Sequence, residues 1–156
     1  MVNAVCKGRP LVLNSKPADS GTATVRILLV DDFQLFRGLV SSILGKEPGY
    51  QVVGEAADGV EAVQRATELK PDLVVLDIGL PELNGIEVAR RIRRSSPDST
   101  ILFLTANSDP GVAWEALNTG ARGYVLKVDA ATELVEAAKE VLSGKEFVSR
   151  RLRDRM

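Results

Sequence analysis

The chain has 156 residues, of which 45% are hydrophobic, 26% charged and 4% aromatic, and its formal net charge is -1 at pH 7. This balance suits one globular domain with tails, and the near-neutral charge gives no electrostatic case for binding to nucleic acid or membranes. The sequence contains no histidine and one cysteine, which excludes histidine-based nucleophile systems, histidine-ligated zinc and an internal disulfide.

Residues 1–23 are rich in turn formers and are predicted to be a flexible N-terminal extension. Their apolar run, residues 10–13, is too short for the core of a signal peptide. No apolar run elsewhere reaches the roughly 18 residues that a membrane span needs. We therefore expect a cytoplasmic domain that begins near residue 24 and makes no use of a membrane.

Five short apolar runs follow in chain order, and each is predicted to be a strand. They are VRILLV (25–30), QVVGEA (51–56), LVVL (73–76), TILFL (100–104) and GYVL (123–126). Most of these runs are continuously apolar, as is typical of strands that are covered on both faces.

A helical pattern follows each run, and each of these helices is expected to pack one apolar stripe on the sheet. Lys70 and Pro71 should stop the second helix, and Asp109 with Pro110 should start the fourth. Asp129 is predicted to cap the last helix. Strict alternation of strands and helices predicts an α/β fold with a doubly wound, five-stranded parallel sheet.

Polar side chains stand directly after four of the predicted strands. Asp31 and Asp32 follow the first, Asp77 the third, Thr105 the fourth and Lys127 the fifth. Because the carboxyl ends of parallel strands share one edge of the sheet, we expect these side chains to converge there.

Three carboxylates in one crevice repel one another, and a bound cation relieves that repulsion. Oxygen ligands favour a hard ion, so Mg²⁺ is predicted as cofactor, with Mn²⁺ as the alternative. With Lys127 and Thr105 nearby, the edge could receive a phosphoryl group, and Asp77 would act as the nucleophile that forms an acyl phosphate.

Several stretches in this order and spacing resemble the receiver domain of bacterial two-component response regulators. They are LLVDDFQLFR (28–37), VVGEAADGVEAV (52–63), PDLVVLDIGLPELNG (71–85), LTA (104–106), GARGYVLK (120–127) and SGKEFVS (143–149). The resemblance is greatest to the NarL/FixJ branch, which usually carries a LuxR-type DNA-binding helix-turn-helix. It implies a (βα)5 flavodoxin/CheY-like fold with strand order 2-1-3-4-5, a receiver over 24–148, and a basic tail or linker start over 149–156.

The resemblance also implies roles for residues around the acidic edge. Asp77 would be the phosphorylated residue. Asp32 and Asp77 would bind the metal ion directly, the backbone carbonyl of Gly79 would complete the protein ligands, and Asp31 would act through water.

Further implied roles concern the switch. Thr105 would be the hydroxyl that moves toward the phosphoryl group, and Tyr124 the aromatic side chain that turns inward after it. Lys127 would contact the phosphoryl oxygens, while the small Ala106 would leave room for them.

The function implied by the resemblance is regulatory rather than enzymatic, with at most slow self-phosphorylation and autodephosphorylation. A histidine kinase would donate the phosphoryl group, and the 110–142 surface would then change to control homodimerisation or an effector. DNA would be contacted only through a helix-turn-helix domain that lies outside this chain. The alternative is a stand-alone receiver that acts through protein contacts.

The sequence leaves two other classes of protein open. A Mg²⁺-dependent aspartyl phosphatase would need a second acid two residues after the nucleophile, where this chain has Gly79. A flavodoxin-like flavin or nucleotide module would need a phosphate-binding loop after the first strand, where Asp31 and Asp32 would repel a phosphate.

Overall fold

The computed structural model describes residues 24–156 and, before them, two short strands, Val5–Cys6 and Arg9–Pro10, which pair in antiparallel fashion. The rest of the predicted N-terminal extension, 1–23, lies outside the described residues. No helix in the described part of the chain is long and apolar enough to cross a membrane.

Strands and helices alternate along the described chain, as the sequence predicts. The strands are β1 (Val25–Val30), β2 (Tyr50–Ala56), β3 (Leu73–Leu76), β4 (Thr100–Thr105), β5 (Gly123–Leu126) and β6 (Phe147–Val148). The helices are α1 (Gln34–Gly45), α2 (Gly59–Leu69), α3 (Gly85–Ser95), α4 (Pro110–Leu117), α5 (Ala130–Leu142) and α6 (Arg150–Arg153). A single 3-10 turn, Lys127–Asp129, joins β5 to α5.

The main sheet has the order β2-β1-β3-β4-β5-β6, and all of its strand pairs are parallel. The predicted doubly wound sheet and its 2-1-3-4-5 order are confirmed. The structure adds a sixth, two-residue strand, in which Phe147 pairs with Gly123 and Val148 with Tyr124. So short a strand carries no periodicity, which is why the sequence pattern did not predict it.

Alternate residues of the central strands enter two separate cores on opposite faces of the sheet. Leu28 and Val74 pack in the core beneath α2, α3 and α4, whereas Ile27 and Leu73 pack in the core beneath α1 and α5. Both faces are therefore covered by helices, as the continuously apolar runs indicate.

The predicted end of α2 and the predicted start of α4 are confirmed. Asp109 caps α4 by accepting from the Gly111 amide over 2.8 Å, and α2 ends just before Lys70, which adopts a left-handed conformation with φ of 47°. The prediction that Asp129 caps the last helix is wrong. Asp129 occupies the position before α5, but its side chain makes no capping bond and pairs instead with Arg151.

The packed region continues beyond residue 148, where the sequence placed the end of the receiver. Ser149 and Leu152 are both completely buried, and Leu152 belongs to the core beneath α2, α3 and α4. The segment after β6 therefore lies on the domain rather than leading away from it.

Candidate functional site

Asp31 and Asp77 lie side by side at the carboxyl edge of the sheet because the strands that carry them are in register. Val30 pairs with Leu76, and the Asp77 amide donates to the Val30 carbonyl over 3.0 Å. Both carboxylates are almost buried, at 5% and 7% exposure, while Asp32 is exposed. One oxygen from each of the three acids lies within 4.8 Å of the others.

Lys127 brings a positive charge into this acidic group. Its Nζ lies 2.7 Å from Asp31 Oδ2 and 3.0 Å from Asp77 Oδ2, and 4.6 Å from the centroid of the Phe36 ring. The ring face attracts the ammonium group and limits its movement. Lys127 therefore links the residues that follow β1 and β3, and it offsets part of the negative charge of the Asp31 and Asp77 carboxylates.

The carboxylates of Asp31 and Asp77 are also oriented by nearby backbone amides. The Phe33 amide donates to Asp31 Oδ1 over 2.8 Å, and the Ile78 amide donates to Asp77 Oδ1 over 2.7 Å. In each case the other oxygen, Oδ2, faces Lys127. The two acids thus present fixed oxygens to the same hollow.

The loop after Asp77 folds tightly onto the first turn of α3. Asn84 caps that helix with its side chain, and the Gly85 amide donates to the Ile78 carbonyl over 2.7 Å. A Cβ on Gly85 would collide with the Asp77 carbonyl oxygen and would stand 2.7 Å from Ile78 Cα. Glycine at this position therefore permits the close approach that sets the backbone of Asp77.

Thr105 and Tyr124 both form a hydrogen bond with the backbone of Asn107. The Asn107 amide donates to Thr105 Oγ1 over 3.3 Å, and the Tyr124 hydroxyl donates to the Asn107 carbonyl over 2.7 Å. The Tyr124 side chain is completely buried, with its ring centroid 6.2 Å from that of Phe103. The tyrosine is thus already in an inward position in this structure.

Two pKa shifts show how the site is charged. Burial acts to lower the pKa of Lys127, but its hydrogen bonds to Asp31 and Asp77 and their negative charges outweigh burial, so the net pKa is raised. Burial raises the pKa of Tyr124 well above its usual range, and the charges of Asp77 and Asp109 raise it further. At neutral pH the lysine is therefore cationic, and the tyrosine keeps the proton that it donates to Asn107.

The donor set at this edge fits a hard cation. Asp31, Asp32 and Asp77 offer carboxylate oxygens, with no sulfur or imidazole ligand among them, and such ligands favour ions like Mg²⁺ over zinc or copper. A cation beside a lysine ammonium could also neutralise the oxygens of a phosphoryl group.

A family model described as the response regulator receiver domain matches residues 27–139, which include all three acids and Lys127. The chain belongs to this receiver family. Among curated relatives, it is 38% identical over 124 residues to the transcriptional regulatory protein DegU of Brevibacillus brevis, a match that covers 80% of this chain and 52% of DegU. It is 36% identical over 125 residues to the response regulator GacA of Pseudomonas viridiflava, covering 80% of this chain and 58% of GacA.

Solved receiver structures show the same fold. A LuxR-family response regulator from Aurantimonas sp. SI85-9A1 superposes with a TM-score of 0.81 at 39% identity, covering 85% of this chain and 94% of the other. The receiver domain of the response regulator NarL from Mycobacterium tuberculosis superposes with a TM-score of 0.75 at 33% identity, covering 79% and 99%. These neighbours confirm the predicted NarL/FixJ-type receiver. This receiver spans about half the length of the curated relatives named above.

The receiver fold brings most of the predicted site residues together. Asp31, Asp32, Asp77 and Lys127 form one cluster. Thr105 ends the neighbouring strand β4, paired with Leu126 just before Lys127.

Gly79 and Ala106, the other two residues predicted for the site, lie in the loops that follow β3 and β4. Gly79 lies in the exposed loop two residues after Asp77, with open space around the position of a Cβ. Ala106 follows Thr105 and is exposed.

Two residues of α1 contribute to the site without having been predicted to do so. Phe36 supplies the ring beside Lys127, and Arg37 donates to the Asp31 carbonyl over 2.6 Å and to Glu55 over 2.7 Å. The sequence indicates only that Phe36 lies on the buried face of a helix. Which strand end that face meets depends on the crossing of α1 over the sheet, which the sequence pattern does not specify.

Proposed function

We propose that this receiver is switched by phosphorylation of Asp77, with a histidine kinase as the phosphoryl donor. The observation that carries the proposal is the contact of Lys127 Nζ with Asp77 Oδ2 at 3.0 Å, inside a hollow that also holds the carboxylates of Asp31 and Asp32. A carboxylate beside a fixed ammonium group and a cation site suits the acceptance of a phosphoryl group.

In the proposed transfer, a carboxylate oxygen of Asp77 attacks the phosphorus of a phosphohistidine. The P–O bond of an acyl phosphate forms while the P–N bond breaks, and the electron pair leaves with the imidazole nitrogen, which takes up a proton. Lys127 offsets charge on the phosphoryl oxygens. This chain has no histidine, so it acts as the acceptor and not as the donor.

Mg²⁺ is the cation proposed for the site, with Mn²⁺ as a substitute. Asp32, Asp77 and the carbonyl of Gly79 would hold it directly, and Asp31 through water. Bound there, the ion supplies positive charge to the transferring phosphoryl group. We also propose that the protein acts in the cytoplasm.

The proposed switch runs from Asp77 to Thr105 and Tyr124. A phosphoryl group on Asp77 would accept a hydrogen bond from the Thr105 hydroxyl. Movement of Thr105 toward that group would break the bond that its Oγ1 now accepts from the Asn107 amide, which is long at 3.3 Å. Ala106 has a small side chain that leaves space for the phosphoryl oxygens. The Tyr124 hydroxyl donates to the carbonyl of the same residue, Asn107. Movement of Thr105 would therefore also affect Tyr124 and favour one arrangement of the 110–142 surface.

The proposed output is phosphorylation-dependent homodimerisation of a DNA-binding regulator. Its support is the LuxR-family description of one structural neighbour and the greater length of the curated relatives. DNA would be contacted through a helix-turn-helix domain outside this chain. The receiver itself is regulatory rather than catalytic, and we propose that its own chemistry is limited to slow self-phosphorylation and autodephosphorylation.

Incubation with acetyl phosphate and Mg²⁺ tests the acceptor. The parent protein should gain a single phosphoryl group, acid-stable and base-labile, and Asp77→Asn should gain none. Asp98→Asn is the matched control, because Asp98 is exposed and lies just before the amino end of β4, on the opposite edge of the sheet. Equal labelling of Asp77→Asn and the parent, measured by intact mass, would refute the assignment.

A further inference from the structure

The turn that carries Lys127 is held at both ends by the segment that follows β6. At its start, the Leu126 amide donates to Ser149 Oγ over 2.9 Å. At its end, the Asp129 carboxylate accepts from Arg151, with Nε 3.0 Å from Oδ2 and Nη2 2.9 Å from Oδ1. The Lys127–Asp129 turn is therefore fastened by residues about twenty positions away in the sequence.

The Ser149 contact is fixed by burial. Ser149 is completely buried, and its hydroxyl donates to Glu133 Oε1 over 2.7 Å while accepting from Leu126. Glu133 is itself buried at 4% exposure. Rotation of the serine would leave a buried amide and a buried carboxylate oxygen without this partner, which is costly.

The Arg151 contact explains why Asp129 does not cap α5. A guanidinium group that meets both oxygens of a carboxylate forms a directional, charge-assisted pair. Asp129 is nearly buried, and its side chain points to Arg151 instead of the first turn of α5. Arg151 thus fixes the position of Asp129, the last residue of the turn, which lies two residues after Lys127.

The segment that carries these two residues is anchored on the domain. Leu152 is completely buried, and Arg155 donates to the Ser108 carbonyl over 3.1 Å. The anchor keeps Ser149 and Arg151 in place beside the turn.

We infer that Ser149 and Arg151 are positioning residues for Lys127. By fixing both ends of the Lys127–Asp129 turn, they hold the lysine ammonium against Asp31 and Asp77. The inference rests on the proposed function, because it assigns these residues to the acceptance of the phosphoryl group. Linkage makes the effect reciprocal, so a change at Asp77 that moves Lys127 also changes how firmly the 149–155 segment is held.

The test compares two variants with a matched control in the full chain. Ser149→Ala and Arg151→Gln should slow phosphorylation by acetyl phosphate at saturating donor and Mg²⁺ on the order of tenfold, because Lys127 is no longer held in place. Arg153→Gln removes the same charge from the same helix, but Arg153 contacts the Val148 carbonyl and the Phe147 ring and not the turn. It should phosphorylate at the parent rate.

A double-mutant cycle separates positioning from general stability. If Arg151 acts through Lys127, Arg151→Gln should slow the reaction little further in a Lys127→Ala background. Losses that multiply in the double variant would overturn the inference, as would an Arg151→Gln rate equal to that of Arg153→Gln. Because the Arg151 side chain is largely exposed, at 62%, its variant should fold even where Ser149→Ala does not.

Phosphorylation of the parent chain and of Arg151→Gln distinguishes failure of the proposed function from failure of the positioning role. If the parent chain takes no phosphoryl group on Asp77, the proposed function fails. If Asp77 is labelled in the parent but Arg151→Gln behaves like the control, only the positioning role fails.

Discussion

Gly85 tests at the residue scale how closely α3 approaches the Asp77 loop. We expect Gly85→Ala to lower the free energy of unfolding by about 3 kcal/mol, because the new Cβ meets backbone atoms that cannot rotate away. The same change at Gly38, in the exposed interior of α1 with open space around it, should instead raise that free energy by about 1 kcal/mol. Urea unfolding measures both, and a neutral Gly85→Ala would contradict the close approach.

Tyr124 provides a second prediction at the residue scale, and it depends on pH. Tyr124→Phe should cost about 1 kcal/mol of stability at neutral pH, because the bond to the Asn107 carbonyl is lost. Since burial raises the pKa of Tyr124 in the folded protein, the unfolded chain loses this proton first as pH rises above about 10. The stability of the parent should therefore fall above that pH, and the fall should be shallower in Tyr124→Phe.

Tyr50 is the control for that measurement. Its pKa is also raised, first by burial and then by Glu47, but its side chain is only half-buried. Tyr50→Phe should therefore change the alkaline slope less than Tyr124→Phe does. An equal change in both variants would show that the Tyr124 phenol is not specially protected.

At the scale of single elements, the packing of α6 on the domain was not predicted from the sequence. Leu152→Ala should lower the free energy of unfolding by about 3 kcal/mol, because it leaves a cavity in the core beneath α2, α3 and α4. Leu35→Ala, at a side chain that is 76% exposed on α1, should change it by less than about 0.5 kcal/mol. If thermal and urea unfolding do not separate the two variants, α6 is not docked in solution.

The elements that the sequence predicts have local residue patterns, whereas those that it misses depend on contacts between residues that are distant in sequence. The run 73–76 is continuously apolar, and this local pattern correctly predicts β3, which Asp77 follows. Residues 147–153 carry no such signal, since β6 has two residues and α6 has four. Their placement depends on contacts with Glu133 and Asp129 that are distant in sequence.

The same distinction holds for the site. Asp31, Asp77 and Lys127 are predictable because strand ends in a parallel sheet share an edge. The partner of Asp129 is not predictable in this way, because an aspartate before a helix is ordinarily a cap, and only the folded chain shows Arg151 within 2.9 Å.

At the scale of the whole molecule, the fold brings side chains from distant parts of the chain to one edge of the sheet. Residues 31, 77, 105 and 127 span most of the receiver, yet the parallel register places them together. The C-terminal segment adds Ser149 and Arg151 to the turn that carries Lys127. We therefore expect a change at the edge to reach the 149–155 segment through these contacts.

Peptide mapping of the protein after reaction with acetyl phosphate and Mg²⁺ identifies the residue that is phosphorylated. We predict that the phosphoryl group is recovered on the peptide that contains Asp77 and at that residue alone. Recovery of the group on Asp31, Asp32 or Thr105 would contradict it.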